Sequence, residues 1–486
     1  MATPTLTTPA SSLRALRGLA DPGRVAIVAG VFLTALLTTL VAQRGLTLRT
    51  EALFGVGVFV GLVAGFIVAP WLMVFLTIPL FVVLPMLKVF VSPTLGAVKD
   101  VVSLACVAAA SVLVIRRRAA RRAIRIDGRI LLLVAALFAL YLANIGGLLT
   151  GQTGHGIAWF QGVRLFFEPL GLLVAGLSLR DPKRTLSAAQ QALLGSAAVA
   201  AAWGIAQQKI GIAGLVGLGY QYGHEVRQIG PHLRSFGTLD EPFTYASLLL
   251  LALSVLLLRR RFERIHYALL GLLTVGLLFS YVRTAALIAA AIIGLALARR
   301  GHALAAALTL LAATLAAGVV FLASAEKQST QTVTVNPTTY LTLNGRSKVW
   351  QSQLGRVSYW PFGRGVAAVG TAAERAQESL AGKRAVNPAA ASATVVDSGY
   401  LALVADVGLA GLAVMLGLFA RVVVLARRGI AHDLDSAWIA LGLVVVMAID
   451  ALSRESFTGF PTAYIGMLML GLALSASAVE ARERVR

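Results

Sequence analysis

The chain has 486 residues, of which 58% are hydrophobic and only 13% are charged, and its formal net charge is +22. Soluble domains carry about a quarter charged residues, and here apolar stretches of about 18 residues or more recur from end to end, which excludes a string of soluble domains. The single Cys106 excludes an intramolecular disulfide and a cysteine-rich metal site. The positive charges fall between apolar segments, so they indicate membrane topology and not nucleic-acid binding.

The apolar segments predict an all-α polytopic integral membrane protein with about 12–14 transmembrane helices and one long extracytoplasmic loop. No cleavable signal peptide is expected, because the apolar run begins only at Val25 and no cleavage site follows it. The predicted helices lie roughly at 25–42, 52–68, 70–87, 95–115, 130–149, 162–179, 187–206, 242–258, 267–281, 285–298, 303–323, 399–425, 437–452 and 460–478.

The loops between these helices alternate in charge. With the N-terminus in the cytoplasm, more than half of the 43 Lys and Arg fall in cytoplasmic segments, as the positive-inside rule requires. Both termini are therefore predicted to be cytoplasmic. Four regions follow along the chain: a cytoplasmic tail (1–24), a transmembrane bundle (25–323), an extracytoplasmic loop (324–396), and C-terminal helices with a short cytoplasmic tail (397–486).

The helices at 267–281 and 285–298 are short for membrane spans. Read as one long helix, they would invert every later loop and move the arginines at 421–428 to the outside. The charge pattern therefore favours a pair of short helices that meet at Arg283. That arginine is open to two interpretations: an interfacial side chain that extends to water, or an anion site, since a guanidinium matches phosphate oxygens.

Further arginines lie on the predicted outer side. Arg227 and Arg234 belong to the segment Gln207–Glu241, which precedes a helix that starts near Pro242. With Arg283 they predict a cluster of positive charge at the outer membrane surface, suited to a diphosphate. Arg346 or Lys348, from the long loop, could join this cluster.

The acidic residues near this surface have ordinary alternatives. Asp240 or Glu241 is expected to cap the helix that begins at Pro242. Asp397 either caps the helix that follows it or acts as a catalytic carboxylate at the membrane surface. Asp406 falls on the opposite face of that helix and deeper, so it is expected to bond another helix. The histidines match no metal motif and no nucleotide-binding motif is present, so neither metal nor cofactor is predicted.

Four stretches with distinctive motifs follow one another along the second half of the chain: Arg234 to Phe243, Ser280 to Ala285, Gly345 to Trp350 with Pro361 to Gly365, and Asp397 to Leu412. In this order they resemble the O-antigen ligase and polysaccharide polymerase superfamily, and Phe460-Pro461 before the last helix also fits. O-antigen ligases usually carry a histidine where this chain has Asp397. The resemblance therefore leaves ligation and polymerisation of cell-surface polysaccharide both open.

The resemblance implies an inverting, metal-independent glycosyltransferase on the outer face of the bacterial cytoplasmic membrane. Its donor would be a glycan on undecaprenyl diphosphate and its acceptor a glycan or glycolipid, with other polysaccharide export proteins as partners besides the lipid bilayer. Asp397 would be the general base. The diphosphate would be bound by Arg234, Arg283, Arg227 and Arg346. The aromatic side chains that stack on sugar rings, or anchor the loop at the membrane interface, would be Trp350, Tyr359 and Trp360.

The alternative function is that of a multi-pass transporter or flippase of lipid-linked glycans. Such a protein is expected to carry ionisable residues near the middle of the bilayer, facing a cavity. Glu168, Asp406 and Asp450 are the candidates. A structural scaffold in the membrane is a further alternative, and it would need no clustered outer arginines.

Overall fold

The computed structural model describes residues 48–119, 127–143, 156–220, 228–229, 232–302, 304–309, 312, 361–363, 365–366, 369–370 and 398–485. Within these residues the chain is almost entirely helical. The helices are α1 (Leu48–Val68), α2 (Pro70–Phe90), α3 (Val98–Ala119), α4 (Gly128–Ala143), α5 (Gly156–Ser178), α6 (Pro182–Gly217), α7 (Pro242–Leu257), α8 (Arg264–Leu278), α9 (Arg283–Arg299), α10 (Gly399–Ile430), α11 (Asp435–Asp450) and α12 (Thr462–Val485). A 3-10 turn, Pro93–Ala97, precedes α3, and β1 (Gln228–Ile229) pairs antiparallel with β2 (His232–Leu233).

The helices have the length and composition of membrane spans. Among the described residues, six are long and apolar enough to cross a bilayer, and four shorter ones are also apolar. The prediction of a helical, membrane-embedded protein is confirmed. The two-residue strands β1 and β2 were not predicted. The predicted helix at 25–42 lies outside the described residues, as does most of the one at 303–323, of which 304–309 is helical.

The segment 264–299 forms two helices, as the charge pattern predicts. Helix α8 ends at Leu278 and α9 begins at Arg283. The turn between them contains Tyr281 in the left-handed region, with φ 52°. A non-glycine residue there costs about 1 kcal/mol or more, so the chain reverses at this point against a local preference for continuing the helix.

Helix α6 is longer than predicted. It continues through Gly217, although Gly211 interrupts it with a non-helical conformation (φ 68°, ψ 176°). The predicted outer segment Gln207–Glu241 is therefore wrong at its start, since Gln207 lies inside α6 and is fully buried. Glycine permits this break because it has no Cβ to clash in that conformation.

The C-terminal helix α12 is the centre of the bundle. It packs against α5, α6, α7, α10 and α11, and most of its apolar window is buried inside the protein. Its closest approach is to α5, where a Cβ on Gly471 would lie 2.2 Å from the carbonyl oxygen of Leu173 and one on Gly176 would lie 2.4 Å from that of Leu468. Small residues at such crossings let the backbones of membrane helices approach each other.

Polar contacts divide the helix connections between two ends of the bundle. At one end, Arg421 pairs with Asp127, Arg299 with Asp433 and Asp435, and Lys183 with Glu483. We call this the arginine-rich end.

At the opposite end, Thr238 donates to the carbonyl of Val82, and Ser453 donates to Thr284. We call it the site end, because the sequence places Arg234, Arg283 and the start of α10 there. The loops that the charge pattern assigns to the cytoplasm lie at the arginine-rich end.

Candidate functional site

The segment 232–239 is folded into the site end of the bundle. Gln207 of α6 holds it: the side-chain oxygen accepts from the backbone N–H groups of Phe236 (3.0 Å) and Gly237 (3.1 Å), and the side-chain nitrogen donates to the carbonyl of Gly237 (2.9 Å). Gly237 has φ 56°, and a Cβ there would lie 2.6 Å from the ring of Tyr245. The segment therefore depends on one buried amide and one glycine.

Arg234 is fixed by this segment against the turn between α8 and α9. Its side chain is 7% exposed, its Nε donates to the carbonyl of Ser280 (3.2 Å), and its guanidinium lies 4.6 Å from the ring centre of Phe243. The neighbouring N–H of Ser235 donates to the carbonyl of Phe279 (2.8 Å). Arg283 begins α9 three residues after Ser280, and its side chain is exposed. The two predicted arginines therefore belong to one contact region.

The connection 451–461, between α11 and α12, joins this region to the start of α10. Its Ser453 hydroxyl donates to Thr284, directly after Arg283 (3.1 Å). The N–H of Gly399 donates to the carbonyls of Ala451 and Arg454, each at 2.9 Å. Because these bonds reach both helices, the starts of α9 and α10 are held in a defined relation at the site end.

The buried carboxylate of Asp450 anchors the same connection. Its Oδ2 accepts from the hydroxyls of Ser247 (2.8 Å) and Ser456 (2.6 Å), and Nε of Arg454 lies 3.5 Å away. The Arg454 guanidinium also donates to Thr462 (3.1 Å). A buried charge is tolerated when it is paired and hydrogen-bonded in this way.

A second ionic cluster lies between α3, α5 and α12. The Lys99 ammonium, 5% exposed as a residue, contacts Asp100 (2.6 Å), Glu168 (3.3 Å) and the hydroxyl of Tyr464 (3.0 Å). Tyr464 donates to Glu168 (2.5 Å), and Arg164 pairs with Asp100 (3.1 Å). Two cations and two carboxylates balance each other, which lowers the cost of burial. This cluster was not predicted, because its members look unrelated in the sequence.

Helix α10 is broken at Gly408, where φ is 72° and ψ is −171°. The segment 361–365 crosses this break: the N–H of Gly365 donates to the carbonyl of Asp406 (3.2 Å), and Ala410 donates to the carbonyl of Pro361 (3.4 Å). A Cβ on Gly363 would lie 2.3 Å from the Asp406 carbonyl oxygen. Two separate glycine elements of the sequence therefore meet backbone to backbone, and each satisfies groups that the broken helix leaves open.

A small open cleft lies beside the break, between α4, α5, α10 and the connection 451–461. Two carboxylates line it, those of Asp406 and Glu455, together with the aromatic residues Tyr141, Phe166 and Phe457. Glu455 was not considered from the sequence, since a single glutamate in a short connection gives no pattern to recognise.

The structure describes the start of each helix for which a cap was predicted. Glu241 occupies the N-cap position of α7 but makes no side-chain capping bond, and Asp240 instead lies 3.7 Å from Lys88. The N-cap of α10 is Ser398, whose hydroxyl accepts from the N–H of Leu401. The N-cap interpretation of Asp397 is therefore wrong, and Asp397 itself lies outside the described residues.

Of the predicted site residues the structure describes Arg234 and Arg283, and it holds Arg234 against the carbonyl of Ser280, three residues before Arg283. The others lie outside the described residues: Asp397, Arg227, Arg346, Trp350, Tyr359 and Trp360. Asp397 is bonded to Ser398, which is buried and donates to the carbonyl of Ala451 (3.2 Å). Within the described ranges, no three His, Cys, Asp or Glu side chains gather as metal ligands would.

A scan against models of known protein families finds no match, and neither does a search of characterised proteins. The protein is a membrane-embedded helical bundle with ion pairs at the arginine-rich end and buried polar and ionic contacts at the site end.

Proposed function

We propose that the protein is a glycosyltransferase that moves a glycan from undecaprenyl diphosphate to a glycan or glycolipid acceptor. One observation carries the proposal: Arg234 is held against the turn that leads into Arg283. Two arginines from separate elements would thus serve one surface at the site end, where α10 begins at Gly399, two residues after Asp397. The resemblance to the ligase and polymerase superfamily rests on these same stretches.

The diphosphate would lie against Arg234 and Arg283, with the lipid chain between helices. A guanidinium presents a planar fork of donors that matches phosphate oxygens. Burial of Arg234 among apolar neighbours strengthens its electrostatic effect, since the surrounding dielectric constant is low. Negative charge grows on the diphosphate as the sugar leaves, and prearranged arginines stabilise it most at that moment. Arg227 and Arg346 would add further positive charge to the diphosphate site.

The transfer itself would be a single displacement. The acceptor hydroxyl oxygen attacks the anomeric carbon, the bond from that carbon to the diphosphate oxygen breaks, and the electron pair leaves with undecaprenyl diphosphate. Asp397 accepts the hydroxyl proton, and the anomeric centre is inverted. Arginines take the role that a metal ion has elsewhere, so the proposal includes neither a metal nor a cofactor.

The long loop 324–396 would cover this site and select the acceptor. Trp350, Tyr359 and Trp360 would stack on sugar rings within it. Its segment 361–365 is fixed to α10 at the Gly408 break, as described above. This attachment supports a role for the loop next to the site.

The arginine-rich end would face the cytoplasm, following the positive-inside rule. Both termini would then be cytoplasmic, about 12–14 helices would span the inner membrane, and the site end would face outward. That orientation suits a reaction on lipid-linked glycans for cell-envelope or exopolysaccharide assembly, alongside other export proteins.

The buried acids bear on the transporter alternative. Asp450 is the last residue of α11, and the partners of Glu168 include Lys99 and Tyr464, which lie in the first turns of α3 and α12. Glu168 and Asp450 are thus paired or hydrogen-bonded near the site end. This distribution favours chemistry at one end over a substrate path through the middle of the bundle.

Release of undecaprenyl diphosphate from a lipid-linked glycan tests the proposal. Lysine keeps the charge of arginine but loses the fork. Arg234→Lys and Arg283→Lys should each lower kcat by about 100-fold, the usual loss for one donor to a developing charge. Arg299→Lys is the control matched to Arg234, because the Arg299 side chain is also buried but belongs to the arginine-rich end. Equal activity in all three variants would refute the diphosphate site.

A further inference from the structure

The connection between α7 and α8, at the arginine-rich end, holds one guanidinium in a fixed position. Nη2 of Arg259 donates to the side-chain oxygen of Gln190 on α6 (3.0 Å), and Nη1 lies 3.2 Å from Nε2 of His266 on α8. Both Arg259 and His266 are half-buried. Two other helices therefore set the position of this positive charge.

The contact between Arg259 and His266 joins two hydrogen-bond donors. Nδ1 of His266 accepts from the backbone N–H of Glu263 (2.8 Å), as part of a capping box at the start of α8. When one nitrogen of an imidazole accepts, the other carries the hydrogen, so Nε2 of His266 is a donor. A guanidinium has donors only. Two N–H groups thus converge where only an acceptor would satisfy both.

The carboxylates of this region do not supply that acceptor. Asp433 pairs with Arg260 (2.9 Å), and Asp435 pairs with Arg299. Burial lowers the pKa of the Arg259 guanidinium by more than the neighbouring carboxylates raise it. In the described part of the chain Arg259 forms no ion pair, so its charge is only partly compensated.

A second arginine belongs to the same contact region. Arg300, at the end of α9, donates to the carbonyl of Leu257 (3.4 Å), and its guanidinium lies 5.3 Å from the ring centre of Phe262. The Phe262 ring in turn contacts the ring of His266, with centroids 5.9 Å apart. Within the described ranges Arg300 also forms no ion pair. Positive charge therefore exceeds negative charge around this histidine.

Exposed apolar side chains continue from this region along α8. Ile265 is 58% exposed and Tyr267 is 64% exposed, and the Tyr267 ring contacts Phe262 with centroids 5.5 Å apart. Because α8 is one of the shorter apolar helices of a membrane-embedded bundle, these side chains meet lipid. A ligand that combines an anionic group with an apolar chain matches both parts of the surface.

We propose that Arg259, His266 and Arg300 bind the phosphate of an anionic phospholipid in the leaflet at the arginine-rich end. Phosphate oxygens accept from guanidinium and imidazole N–H groups, and acyl chains would cover Ile265 and Tyr267. Basic pockets between membrane helices bind anionic headgroups in this way. A zwitterionic lipid carries the same phosphate with a cationic group attached, which the surplus arginines repel. The site lies at the opposite end from Arg234, so it is independent of the proposed reaction.

Native mass spectrometry of the full chain in detergent micelles, titrated with one phospholipid at a time, measures this binding. Phosphatidylglycerol should bind at least about tenfold more tightly than phosphatidylcholine. Arg259→Gln and Arg300→Gln should each weaken phosphatidylglycerol binding by about tenfold, the loss of one charged hydrogen bond.

His266→Glu separates a lost ligand from a lost fold. Glutamate is the usual third residue of a capping box, so the start of α8 should be kept. Its carboxylate would supply the acceptor that Arg259 lacks and repel a phosphate. The variant should therefore bind phosphatidylglycerol at least about tenfold more weakly, with a melting temperature in lipid-free detergent no lower than that of the natural chain.

Arg116→Gln is the control, because it removes the same charge from the same end of the bundle. Arg116 is exposed in the last turn of α3, which packs mainly against α1 and α5. This variant should bind phosphatidylglycerol like the natural chain. Equal affinity for the two lipids, or unchanged affinity in Arg259→Gln and His266→Glu, would overturn the assignment. Glycerophosphoglycerol, the headgroup without acyl chains, would also overturn it by binding as tightly as the lipid, since the ligand would then be a soluble phosphate compound.

Discussion

Replacing Gln207 by Leu should release the segment that carries Arg234. The substitution keeps the size of the side chain but removes three buried hydrogen bonds, those to the N–H groups of Phe236 and Gly237 and to the carbonyl of Gly237. A buried polar group left without a partner costs about 1–3 kcal/mol. Three such groups cost at least about 3 kcal/mol, which shifts the balance between the docked and released segment by about 100-fold.

Hydrogen exchange followed by mass spectrometry measures this directly in nanodiscs. The peptide covering 232–245 should exchange about 100-fold faster in Gln207→Leu than in the natural chain, if exchange occurs through release of the segment. Gln190→Leu is the matched control, since Gln190 lies on the same helix about 25 Å away and accepts from Arg259 (3.0 Å). Its peptide 232–245 should be unaffected. Equal protection in all three proteins would refute the role of Gln207.

Three further predictions concern the bundle. Gly471→Val places a Cβ 2.2 Å from a backbone oxygen of α5, so it should destabilise the protein by about 3 kcal/mol in thermal unfolding; Gly195→Val, with open space around it, should not. Arg421 lowers the pKa of Asp127 below its ordinary 3.8, so this pair stabilises the folded state at neutral pH and loses that effect as pH falls through the lowered pKa. The melting temperature should drop by about 1 °C more between pH 7 and pH 3 than in Arg421→Gln, and identical pH profiles would contradict this. Gly408→Ala meets both a positive φ and backbone 2.5 Å away, so proteolysis near 361–370 should accelerate; an unchanged rate would contradict the attachment.

The sequence predicts the helices well where apolar runs are long and uninterrupted. It fails at glycines that break a helix without ending it, because hydropathy does not register a change in φ. Gly211 is the clearest case, since α6 resumes beyond it and continues to Gly217. The pair α8 and α9 was predicted correctly because charge, and not hydropathy alone, constrained the topology.

The candidate site was also predicted only in part from the sequence. Arg234 and Arg283 could be predicted as one cluster because both flank helices on the same side of the membrane. Their actual link, through the carbonyl of Ser280, could not be predicted, since any residue supplies that carbonyl. The pairing of Lys99 with Tyr464 joins positions 365 residues apart, and no local pattern marks either residue as a partner.

Capping predictions failed for a different reason. Asp240 is a good capping residue by propensity, but Lys88 of α2 lies near it in the folded bundle. Asp240 therefore has a tertiary ion-pair partner. Propensity describes the isolated helix terminus, and the arrangement of neighbouring helices decides which partner an acid finds.

The measurement that tests the central claim most directly uses sealed vesicles that contain the purified protein and a fluorescent undecaprenyl-diphosphate glycan, with acceptor glycan supplied on one side. Release of undecaprenyl diphosphate and movement of the intact donor across the bilayer are followed in the same sample. Our account predicts release coupled to product growth, abolished in Asp397→Asn, with no movement of the intact donor. Movement of the intact donor without release, unchanged in Asp397→Asn, would contradict glycosyl transfer and identify a transporter.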